Sequence, residues 1–76
     1  MPRTYSYASI TQHCHEQMTR LIAEAARQTG HEARYRQERA YGIYMGWRAL
    51  VAEHTPPEIF HADDCRLEAI LKRDKL

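Results

Sequence analysis

Residues 40–50 read AYGIYMGWRAL, and the choice of fold turns on them. Two glycines, Gly42 and Gly46, and three aromatics, Tyr41, Tyr44 and Trp47, stand inside an otherwise helical stretch. No proline interrupts the chain between His31 and His54, and Glu32–Arg36 and Arg34–Glu38 have the i,i+4 spacing of helical ion pairs. The segment 31–54 therefore reads as one helix that tolerates its glycines. Each interior glycine costs ~1 kcal/mol relative to alanine, so two of them predict a compensating close contact. The spacing Gly42-x-x-x-Gly46 lets a neighbouring helix approach backbone to backbone and recover dispersion energy. The expected neighbour is the C-terminal helix of the same chain.

On the wheel of this helix Ala40, Ile43, Trp47, Leu50 and Val51 gather into one apolar face. Gly42, Gly46 and Ala49 share a second side, and Tyr41, Met45, Arg48 and Ala52 a third. A helix apolar or small nearly all round is buried on several sides. Tyr41, Tyr44, Met45 and Arg48 are expected to form a surface for a second protein chain, because Tyr, Met and Arg are enriched at interface centres.

Upstream, Ile10, Cys14, Met18, Leu21, Ile22 and Ala25 recur at spacings of three and four, an amphipathic helix over 9–29. Ser9 with Gln12 offers a capping box and Ser6 competes as the cap. Gly30 is the expected left-handed stop. Residues 1–8 form an arm with strand-like alternation of Arg3, Tyr5 and Tyr7. Downstream, Thr55-Pro56-Pro57-Glu58 ends the second helix and opens a third segment over 56–74, with Thr55 and Glu58 as a capping pair. Ile59, Phe60, Leu67, Ile70 and Leu71 supply its apolar side. An unbroken helix would set Asp63 within that stripe, so a break near Ala62 is expected. The whole reads as an all-α, three-helix domain: an antiparallel hairpin of two longer helices plus a shorter C-terminal one.

Size and charge constrain the function. A chain of 76 residues buries only about 60% of the surface its unfolded form exposes, so oligomerisation, here a homodimer, is the expected stabiliser. Two cysteines make no disulfide framework, there is no signal-peptide-like apolar run and no window long enough to span a membrane. A cytoplasmic chain with reduced thiols and no membrane partner follows. Eleven Lys+Arg against ten Asp+Glu leave no global basic field for nucleic acid.

Chemistry-bearing motifs are sparse. His13-Cys14-His15 diverge on a helix, His13 and His15 by about 160°, so they cannot share one ion. His61 and Cys65, spaced i,i+4, reach one zinc if their segment is continuous helix, but two ligands alone make a weak site. Neither a metal nor another cofactor is expected. There is no Gly-rich phosphate loop, G-x-S-x-G or H-E-x-x-H, and the carboxylates mostly have a basic neighbour one turn away. A pocket of the usual ~300–1,000 Å³ is also hard to enclose in three short helices. An enzyme is not expected.

The order RTYSYAS, ITQHCHEQMTRLIAEAARQ, Thr29-Gly30 and second helix, covering about the first 54 residues, resembles ribbon-helix-helix DNA-binding dimers. That resemblance implies a transcriptional regulator in which Arg3, Tyr5 and Tyr7 enter the major groove from a paired ribbon. Arg34, Arg36 and Arg39 would add positive charge near the DNA. The near-neutral charge ranks it second. The first expectation is a small protein-binding regulator, adaptor or inhibitor, of the kind found among phage and mobile-element accessory proteins, that blocks or bridges another macromolecule.

Overall fold

The computed structural model describes residues 6–72 of the chain. Helix α1 spans Tyr7–Ala25, α2 Gly30–Val51 and α3 Pro57–Lys72, and a single 3-10 turn at Ala52–His54 prolongs α2. The described residues contain no strand. This is the expected all-α arrangement of three helices, with shifted boundaries that each have a physical cause.

Helix α1 starts two residues early because Ser6, not Ser9, is the cap. Ser6 has extended backbone, and its Oγ accepts the Ser9 N–H at 3.1 Å. Ser9 lies inside the helix, and the Gln12 amide donates to Glu16 Oε1 at 3.0 Å instead of reaching back. The earlier start places Tyr7 in the first turn, so Tyr7 is helical and the strand expected over the arm fails at that residue. Arg3 and Tyr5 lie outside the described residues.

The other end of α1 stops four residues short of the expected 29. Its last turn tightens into i→i+3 bonds, Arg27 N–H to Glu24 O at 3.0 Å and Gln28 N–H to Ala25 O at 3.1 Å. Gly30 takes φ +63°, the left-handed conformation expected of it, but as the opening residue of α2.

Thr55 does not cap α3. Its hydroxyl donates to the Val51 carbonyl at 2.7 Å, occupying an orphan acceptor at the end of α2. Pro57 opens α3, where its missing N–H costs nothing, and the Phe60 N–H reaches Pro56 O at 3.0 Å. From there α3 runs without a break to Lys72, so the interruption expected near Ala62 is absent. Asp63 does sit on the inner side of the helix. The Tyr7 hydroxyl donates to its Oδ2 at 2.6 Å and Arg66 lies 2.9 Å from Oδ1, which satisfies the carboxylate in place.

Pairings between helices fix the topology. Trp47 near the end of α2 bonds Thr11 near the start of α1, and Arg36 near the start of α2 meets Glu24 near the end of α1. The hairpin is therefore antiparallel. Helix α3 then runs alongside α1, held by Tyr7–Asp63. The core joins Met18, Leu21 and Ile22 of α1, Ala40, Tyr44, Trp47 and Val51 of α2, and Leu67 and Ile70 of α3. Two residues expected inside are outside: Leu50 is 59% exposed and Ile59 49%.

Trp47 is the hub. Its ring stacks on Phe60 at 5.3 Å with planes 9° apart and lies 6.4 Å from both Tyr7 and Tyr44. Its indole Nε1–H donates to Thr11 Oγ1 at 2.8 Å, so the buried donor is satisfied by a hydroxyl that is itself buried.

Candidate functional site

The inner and outer sides of α2 are set by its period. Tyr44 falls with Ala40, Trp47 and Val51 and is buried, which corrects its placement on an exposed interaction surface. The helix pitch carries Tyr41 and Met45 around to the flank, where they are 55% and 40% exposed. Arg48 is half-buried between the two positions.

These side chains line one open groove between α2 and α3, with a volume of about 530 Å³. The space is an open trough and not an enclosed pocket. Ile22, Tyr44 and Leu71 form apolar lining, while Tyr41, Met45 and Arg48 contribute from the α2 side. All four residues expected to bind protein thus border the same space, with Tyr44 as buried lining.

The charges in the groove are mostly committed. Arg48 Nε stands 3.2 Å from Asp64 Oδ1, an ionic contact without hydrogen-bond direction. Its guanidinium carbon lies 5.7 Å from the Tyr44 ring centre and 6.0 Å from that of Phe60. Tyr44 Oη donates to the same Asp64 Oδ1 at 2.7 Å. Burial first, then this bond, raises the Tyr44 phenol above its ordinary range. At the far lip Glu68 and Lys72 pair at 2.9 Å, and Lys72 holds the Glu68 carboxyl below the usual value. Tyr7 makes the equivalent arrangement outside the groove. Burial, followed by its bond to Asp63, pushes that phenol up to about 12.

Gly42 and Gly46 do not do what their spacing predicts within the chain. A β-carbon added at either would meet nothing within 4 Å, and both residues are exposed. Helix α3 packs against the Tyr44–Trp47 side, leaving the glycine side of α2 open.

Of the residues assigned to the DNA reading, those among the described residues are mostly engaged within the chain. Tyr7 is occupied by Asp63 and Trp47. Arg36 is paired with Glu24 at 3.3 Å and Glu32 at 2.7 Å, Arg34 is exposed, and Arg39 lies over the Tyr35 ring. Both cysteines are free; Cys14 is half-buried, which pushes its thiol up, and Cys65 is exposed. Among the described residues no group of three or more His, Cys, Asp or Glu side chains could hold a metal, and no helix is long and apolar enough to cross a membrane.

Sequence reasoning missed Thr11, Asp63 and Asp64. The available signal was the carboxylate within an apolar stripe: such a group in a continuous helix requires a donor, and a tyrosine provides one. Neither protein-family models, curated proteins nor solved structures give a match to this chain.

Proposed function

We propose that this chain is a small, non-enzymatic protein-binding regulator, adaptor or inhibitor that receives an amphipathic helix of another protein along α2. The observation that carries the reading is the exposure of Tyr41 and Met45 beside an apolar groove lined by Ile22, Tyr44 and Leu71. A partner helix lying there gains apolar burial from the groove, and Gly42 and Gly46 offer close backbone approach beside it. Arg48, already oriented by Asp64 and the two rings, presents its remaining donors without a further ordering cost. The reading includes self-association, since so small a core gains from a second copy.

The test is the double variant Tyr41→Ala with Met45→Ala, used as bait in host extract beside the parent chain. Loss of a captured protein with helical circular dichroism unchanged supports the groove as a binding surface. Equal capture by both baits overturns it.

A further inference from the structure

The outer face of α3 carries Glu58, His61, Ala62, Cys65 and Ala69, all exposed. On that face Cys65 Sγ lies 3.8 Å from His61 Nε2. The unbroken helix sets this spacing, since side chains four residues apart stand one above the other. A tetrahedral zinc takes thiolate sulfur at about 2.3 Å and imidazole nitrogen at about 2.0–2.1 Å, which puts the two donor atoms about 3.5 Å apart. The pair therefore stands close to the separation a metal requires.

One chain supplies only two of the four positions, and no third ligand joins them among the described residues. The surroundings of Cys65 admit the rest. Ala62 and Ala69, one turn to either side of it, present only methyl groups and leave room beside the sulfur for further ligands.

We propose that His61 and Cys65 are half of a zinc-class site that the same two residues of a second copy complete as Cys2His2. Each thiol loses its proton to solvent on binding, each imidazole binds through Nε2 in its neutral form, and two thiolates balance the divalent charge. Thiolate and imidazole select zinc-like ions over magnesium or calcium. The expectation of no metal rested on counting two ligands in one chain; two chains make four. The site lies on α3 and does not depend on the groove reading.

Cobalt(II), added to the reduced chain, serves as the visible probe. The expected result is an intense thiolate-to-cobalt charge-transfer band that saturates at one metal per two chains. The mass in solution doubles with it. Zinc bleaches the band. Cys65→Ser and His61→Ala each remove the band and the mass change, with helical circular dichroism retained because both residues are exposed. Cys14→Ser leaves both signals intact. Absence of the band, its persistence in Cys65→Ser, or saturation at one metal per chain without a change of mass overturns the proposal.

Discussion

Helix α2 has two unlike sides. On its inner side the polar tips are occupied: Trp47 donates to Thr11, and Tyr44 to Asp64. On its outer side, Tyr41 and Met45 are exposed and Gly42 and Gly46 face empty space. The inner side spends aromatic residues on holding three helices together. The outer side spends two glycines and returns nothing to the isolated chain. The contrast separates residues that make the fold from residues available to a partner, and each class responds differently to substitution.

The largest effect belongs to the hub. Trp47→Ala should cost about 3–5 kcal/mol, through the lost ring and the lost bond to Thr11. In so small a domain this should leave the chain largely unfolded at room temperature, read as a collapse of helical circular dichroism. A folded variant would show that the inner side is not what joins the helices.

Next come the two tyrosine–aspartate pairs. Tyr7→Phe should cost about 1–3 kcal/mol in urea unfolding, because it removes the hydroxyl that meets Asp63 beneath α1. Tyr44→Phe should cost a similar amount, since each aspartate keeps an arginine once the phenol is gone, Asp64 with Arg48 at 3.2 Å and Asp63 with Arg66 at 2.9 Å. Clearly unequal losses would show that the two arginines do not support their carboxylates alike. Alkali probes the same bonds. The Tyr7 phenol is raised from 10.0 to about 12. The folded chain therefore holds that proton more tightly than the unfolded one. Its contribution to stability should be complete below about pH 10 and fall away as pH climbs toward 12. A flat stability curve across that window would contradict the Tyr7–Asp63 hydrogen bond.

The outer side predicts an effect of opposite sign. Gly46→Ala should stabilise the isolated chain by ~1 kcal/mol, because the added methyl group enters open space and alanine is the better helix former. Destabilisation would mean that the glycine is packed. If the glycine side contacts a partner, the same variant should weaken capture while raising the melting temperature. The smallest effect is expected at the rim, where Met45→Ala should change stability by no more than about 0.5 kcal/mol. A larger loss would move Met45 to the fold-making class.

Long-range order was legible where periodicity speaks. The three helices, the antiparallel hairpin, the left-handed Gly30 and the proline start of α3 all follow from local spacing and backbone chemistry. The misreadings arose where a distant partner decided a local question. Asp63 argued for a break only because Tyr7, 56 positions away in sequence, could not be seen as its donor. The choice of Ser6 over Ser9 belongs to the same contact, since it is the earlier cap that puts Tyr7 in the first turn. Thr55 serves the helix behind it through a single hydroxyl bond, which the pattern T-x-x-E does not foretell. Of the four residues assigned to protein binding, Tyr44 is the one placed wrongly: it lies only about 60° round the helix from Tyr41, enough to bring it under α3, and a tyrosine can be buried once its hydroxyl is matched. The glycine spacing revealed an unusual surface without telling which molecule faces it.

The lone tryptophan of this chain touches all three helices through Thr11, its own α2 neighbours and Phe60. Its ultraviolet emission is consequently a native, label-free gauge of assembly. Departure of any one helix exposes the indole to water and shifts that light to the red, so stopped-flow mixing can time when the last of them docks.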